Sequence, residues 1–296
     1  MAKDGLQLFG GDWTERKLDA LDQYLRAYAR ALSKTTFQRL YIDAFAGTGY
    51  RERKAPPTGM QSIFDELNAE EPQRFFDGSP KIALKVEPAF HGFIFVEQDD
   101  AKVRELEKLK SEFPQRASAI DIRAGDANAT IRHLCRTWDK RGTRGVLFLD
   151  PFGMQAEWST VKAIADTGCI DTWILFPFAA NRLMTKSPTD IPPAWRSRLD
   201  TLFGTKDWEL RFYKERTDVD IFGGDRTIIE KDLTIKGLGA FYADQLRKVF
   251  PAVAPNPCIL RSESNQPLFQ LFFAAANPGN GGRIAIKIAE HILRKI

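Results

Sequence analysis

The sequence predicts a Rossmann-like α/β protein: a parallel sheet with helices on both faces, ending in an antiparallel hairpin and interrupted by one helical insertion. Three observations predict it. Apolar, β-branched runs alternate with amphipathic segments from residue 39 to residue 176, the rhythm of strands joined by crossover helices. Tyr41-Ile-Asp-Ala-Phe-Ala-Gly-Thr-Gly49 carries one such run through an acid into two glycines spaced by one, as a buried strand does when its turn must approach a ligand closely. Phe93-Ile-Phe-Val-Glu97 and Gly145-Val-Leu-Phe-Leu-Asp-Pro-Phe-Gly153 repeat the pattern of an apolar strand closed by a carboxylate.

The elements follow in order. Residues 14–32 read as a helix, with Thr14 able to cap it and Leu18, Leu21, Leu25 and Ala29 recurring every three or four positions. A strand at 39–45 leads into the glycine turn. Residues 50–78 hold Pro56-Pro57 and many charges, too long for a simple connection, with some helix expected at 62–69. Ser79-Pro80 offers an N-cap and first-turn proline for the next helix. A second strand spans 93–96 and a charged helix 100–113, its Val103, Leu106 and Leu109 on one face. Then come a strand at 119–124, a helix at 129–140, a strand at 145–149 and a helix at 158–166. The strand at 172–176 is so apolar that it belongs at the centre of the sheet. Residues 178–236 break the rhythm with Pro188, Pro192-Pro193, Trp195, Trp208 and Gly223-Gly224, and read as a helical insertion within a single domain. After a helix at 237–250, strands at 259–262 and 268–275 are joined so tightly that they must be antiparallel. A last helix covers 282–295.

Composition narrows the partners. The 296 residues carry a net charge of +4, mildly basic and compatible with nucleic acid. Arg51, Arg53 and Lys54 follow the glycine turn directly, although Glu52 interrupts them. Arg196, Arg198, Arg211, Lys214 and Arg216 crowd a later segment, where they read equally well as a solvated face. Cys135, Cys169 and Cys258 are far apart, as are His91, His133 and His291. No zinc or disulfide framework is expected from such spacing, and a reducing cytoplasm is the expected compartment. No apolar run has the length of a membrane span, and the first residues lack the apolar stretch of a signal peptide.

Acids at the carboxyl ends of successive parallel strands line the crevice where doubly wound sheets bind nucleoside ligands. Singly, each acid reads as well as a loop residue. Jointly, the set fits S-adenosylmethionine (SAM). Glu97 would accept from the ribose hydroxyls, Asp126 from the adenine amine with Ala127 beside it, and Gly47 and Gly49 would let the backbone approach the methionine moiety, next to Phe45. Asp43 would orient that turn or take the methionine ammonium. A nicotinamide site needs a third glycine where Glu52 stands, and a phosphate loop needs a Gly-Lys-Ser/Thr that is absent here. Asp150-Pro-Phe-Gly153 carries the chemistry. The Asp150 carboxylate and the Pro151 carbonyl would accept hydrogens from an exocyclic base amine, and Phe152 would stack on a base drawn out of its helix. The aromatic stands one place earlier than in the usual Asp-Pro-Pro-aromatic form, closer to the pattern of guanine N2-dimethylating transfer-RNA enzymes.

Trp13-Thr-Glu-Arg-Lys17, Tyr41 to Gly49, Gly78-Ser-Pro-Lys-Ile-Ala-Leu84, Phe95-Val-Glu97, Gly125-Asp126 and Phe148-Leu-Asp-Pro-Phe-Gly-Met-Gln155 together resemble the bacterial three-Cys-motif partner proteins. The resemblance runs from about residue 10 to the end and is looser in the insertion. It implies a class I SAM-dependent methyltransferase fold. It also implies a companion protein bearing three cysteines of iron–sulfur, radical-SAM type, distinct from the cysteines here. Three functions remain open: a methyltransferase for a nucleobase amine in DNA or RNA, a non-catalytic nucleic-acid-binding module that serves the companion, and a methyltransferase for a small molecule or protein.

Overall fold

A computed structural model of the chain describes residues 12–47, 78–219 and 225–296; the helix expected at 62–69 lies outside them. Its centre is a set of parallel strands: β1 (Gln38–Asp43), β2 (Gly92–Glu97), β3 (Ile120–Ala124), β4 (Thr143–Leu149) and β5 (Ile170–Pro177). They lie in the order β3-β2-β1-β4-β5, every neighbouring pair parallel. The winding reverses between β1 and β4. That is the switch point at which open α/β sheets bind their ligands.

Beyond β5 the sheet changes direction. β10 (Pro267–Ala275) runs antiparallel to β5, and β9 (Cys258–Arg261) closes a hairpin on it. The two-residue strand β8 (Ala252–Val253), which the sequence reading lacks, also pairs with β10. A parallel core finished by an antiparallel hairpin is the layout of a class I SAM-dependent methyltransferase sheet, a Rossmann-like α/β fold.

Alternation along the strands builds two cores. Tyr41, Phe93, Phe95, Val146 and Phe148 point to one face, where α1 (Asp12–Ala31), α3 (Asp100–Glu112) and α10 (Asn280–Leu293) cover them. Ile42, Ile94, Val96, Leu147 and Leu149 point to the other, under α4 (Ala127–Arg136), α5 (Trp158–Ala165) and α9 (Ile235–Val249). A one-residue slip in any strand would exchange the two sets, so the register is strongly specified. Every position of β5 is buried, as its run of apolar residues requires. Short α2 (Ser79–Leu84) starts one residue earlier than expected, with Gly78 as its N-cap and Ser79 already helical.

The insertion is only partly helical. After α6 (Ala180–Leu183), α7 (Pro193–Phe203) and α8 (Asp207–Phe212), the chain forms an antiparallel pair, β6 (Tyr213–Val219) and β7 (Asp225–Lys231). The β-branched residues Thr217, Val219, Thr227, Ile228 and Ile229 favour strands there, while the runs of charge leave no period in the sequence. Gly204 ends α7 at φ +68°, and a Cβ there would lie 1.8 Å from Cδ1 of Trp158. Gly204→Ala therefore combines a left-handed backbone with a clash against an indole. It is expected to cost about 2–4 kcal/mol, read as a lower thermal midpoint; an unchanged midpoint would show that the contact is readily relieved. Among the described residues no helix is long and apolar enough to cross a membrane.

Candidate functional site

The carboxyl ends of β3, β2, β1 and β4 stand side by side, so the acids that close them meet along one edge. Main-chain bonds tie their turns together. The Ala44 amide donates to the Phe148 carbonyl (3.1 Å), the Ala46 amide to Val96 (2.9 Å) and the Gly125 amide to Glu97 (2.9 Å). Gly47 has φ +63°, a conformation that suits glycine, where the turn meets the end of β2.

Glu97 is the knot of this arrangement. Its Oε2 accepts from the Gly47 amide at 3.0 Å, and its Oε1 accepts from the amides of Gln98 and Asp99, both at 2.9 Å. The first glycine turn is thus fastened to the end of the second strand by a side chain. A carboxylate has about four acceptor sites, so one remains on Oε2. Asp126 caps α4 through Oδ1, which accepts from the Ala129 amide at 2.7 Å. The residue is exposed, while Ala127 behind it is buried. Phe45 is half-buried against the core under α4 and α5.

Asp43, at the end of β1, is fully buried. The Tyr41 hydroxyl donates to its Oδ2 at 3.1 Å. Its Oδ1 has no hydrogen-bond partner among the described residues. Burial raises its pKa from the ordinary carboxylate range to about 7; Asp150 adds to that, while Ser79, Tyr41 and the Phe45 amide pull the other way. An acceptor atom orphaned this deeply costs free energy unless something donates to it.

After β4, Asp150 is one-fifth exposed, Pro151 is buried, and Phe152 is 48% exposed. Gly153 follows at φ +63°, which throws the phenylalanine outward. The loop that continues from this turn is clamped by buried Asn128. Its Nδ2 donates to the Gln155 carbonyl (2.8 Å), while its Oδ1 accepts from the Glu157 amide (3.0 Å) and the Thr160 hydroxyl (2.8 Å). Gly49, Arg51, Arg53 and Lys54 lie outside the described residues.

One site residue escaped the sequence reading. Lys17 of α1 is 4% exposed, and its Nζ lies 2.8 Å from Oδ2 of Asp150. It also lies 4.7 Å from the ring centre of Trp13, which itself packs on Phe269 at 4.9 Å. The signal was present: Lys17 stands on the buried stripe of α1 between Trp13 and Leu21, where an unpaired lysine would be costly. The cysteines take no part. Cys135 and Cys169 are buried, Cys258 is half-buried, and burial raises all three thiols, Cys135 to about 12.

No family model matches the chain. No curated protein matches it either. Several solved structures match it at low similarity. A Legionella pneumophila protein of the DUF519 family is 12% identical, with a TM-score of 0.48, covering 94% of this chain and 90% of its own. The Escherichia coli protein yhhF, provisionally named a methyltransferase, is 13% identical with a TM-score of 0.29, over 72% of this chain and 87% of its own. Spermidine synthase from Thermotoga maritima is 12% identical with a TM-score of 0.36, over 94% and 63%. Likeness at this level carries no argument; the strand order and directions establish the fold.

Proposed function

We propose that this protein is a SAM-dependent methyltransferase that modifies an exocyclic amine of a nucleobase in DNA or RNA. Its companion in this reading is a protein with three cysteines of iron–sulfur type. The observation that carries the reading is the turn after β4: at the switch point, a lysine-paired acid and a buried proline stand next to an outward-facing phenylalanine.

The residues present fit the cofactor. The orphaned Oδ1 of Asp43 and the spare site on Oε2 of Glu97 are acceptors, matched to an ammonium and a ribose hydroxyl. Oδ2 of Asp126 is left by its cap for an adenine amine. Bound there, SAM would supply a methyl group on a sulfonium, electrophilic without metal or acid. The chain's own task is alignment. One oxygen of Asp150 and the Pro151 carbonyl accept the two amine hydrogens, aiming the nitrogen lone pair. Phe152 holds the base by stacking. Asp150 would also take the proton that the nitrogen sheds. Arg51, Arg53 and Lys54 would meet the phosphates.

A second reading is favoured by the Lys17–Asp150 ion pair, which occupies part of the acid. On it, the protein binds nucleic acid for the companion and transfers no methyl group. A radiolabelled-methyl assay on single-stranded DNA and RNA, with the companion present, separates the two. Incorporation above background supports the first; background counts together with salt-sensitive binding support the second.

Asp43 gives the first reading a pH signature. Its carboxyl holds its proton up to about 7, whereas a cationic ligand favours the ionised form. Cofactor binding is therefore expected to release a proton below pH 7, with affinity falling up to tenfold per unit as pH drops, and no release near pH 8. Titration calorimetry in buffers of different ionisation enthalpy counts that proton; pH-independent affinity from 5.5 to 7 would remove Asp43 from the ligand.

A further inference from the structure

The acid of the Asp-Pro-Phe-Gly turn is held from outside the strand–turn motifs. α1 precedes the sheet in sequence, yet it delivers Lys17 to the end of β4, 133 residues away. Three features fix the lysine. Its side chain is 4% exposed, its Nζ meets Oδ2 of Asp150 at 2.8 Å, and it lies beside the Trp13 ring at 4.7 Å. Trp13 is in turn pinned by Phe269 of β10. A buried ammonium is placed at a desolvation cost that an apolar residue of similar size would avoid. The stripe around it, Trp13, Ala20, Leu21 and Tyr24, is apolar or aromatic.

We propose that Lys17 is a positioning residue of the active site. Holding Oδ2, it sets the rotation of the Asp150 carboxylate, so that Oδ1 is the oxygen presented to the substrate. It also supplies the counter-charge that lets Asp150 stand near Asp43, the other acid that faces it among the described residues. This rests on the methyltransferase reading.

The test compares the wild type with Lys17→Met, Lys17→Arg and the double variant Lys17→Met/Asp150→Asn. Cofactor affinity is read by calorimetry. Methyl transfer is read on oligonucleotides of a single modifiable base: adenine, cytosine or guanine. Lys17→Met is expected to keep cofactor affinity within about threefold and to lower kcat by about ten- to a hundredfold. Lys17→Arg recovers most of kcat. Wild-type kcat in a folded Lys17→Met, or equal loss in Met and Arg variants, overturns the positioning role and leaves the methyltransferase reading intact. A wild type that binds cofactor but methylates none of the three removes both. The double variant guards against misfolding: it buries no lone charge, so its cofactor affinity reports whether the pocket has formed.

Discussion

Asp150→Asn is expected to lower methyl transfer at least about a hundredfold, with cofactor affinity nearly unchanged. The amide preserves the size of the side chain but turns one acceptor into a donor. Lys17 then faces either that donor or an uncharged oxygen, and the amine loses the carboxylate that takes its proton. The change also takes the Asp150 charge away from the buried Lys17 ammonium. Removing one partner of a fully buried pair costs about 3–5 kcal/mol; with Asp150 one-fifth exposed, the loss here is nearer 1–3 kcal/mol. Rate and stability must therefore be read separately, with single-turnover transfer measured below the variant's unfolding range. Undiminished transfer would reduce Asp-Pro-Phe-Gly to a strand-end turn and Phe152 to a surface aromatic.

Glu97→Ala is expected to abolish measurable cofactor binding and to lower stability by about 2–3 kcal/mol. The side chain accepts from three amides, those of Gly47, Gln98 and Asp99, and its removal unfastens the first glycine turn from β2. Hydrogen bonds to charged groups contribute about 1.5–3 kcal/mol each when buried. The sum is smaller here because Glu97 is only half-buried and water can replace part of it. Glu97→Gln keeps an oxygen for one side of the knot and is expected to fall between the two. Chemical denaturation reads the stability and calorimetry the affinity. An alanine variant with wild-type values in both would show that the turn holds itself.

Most of the sheet was legible because buried parallel strands write themselves as apolar runs. The acids at their ends were legible for the same reason: Asp43, Glu97 and Asp150 each stop such a run. What escaped had a physical reason in every case. β8 is two residues long, Ala252 and Val253, too short to show any period. β6 and β7 are built from charged and β-branched residues without a period of two, as Lys214, Glu215 and Arg216 in succession show. Lys17 was unread because a lysine in a charged helix is ordinarily a solvated one; only its place on the Trp13–Leu21–Tyr24 stripe betrays it. Glu97 was expected to bind a ribose, yet most of its acceptor sites hold backbone, a role set by how closely two turns approach in space.

The central claim is a cofactor pocket across the ends of β1, β2 and β3, and calorimetric titration of SAM into the purified protein tests it most directly. Glu97→Ala and Asp126→Ala serve as controls, the latter losing about 1 kcal/mol of helix cap as well. The account predicts micromolar binding by the wild type that both variants lose. No heat of binding by the wild type, alone or with the companion added, would contradict it.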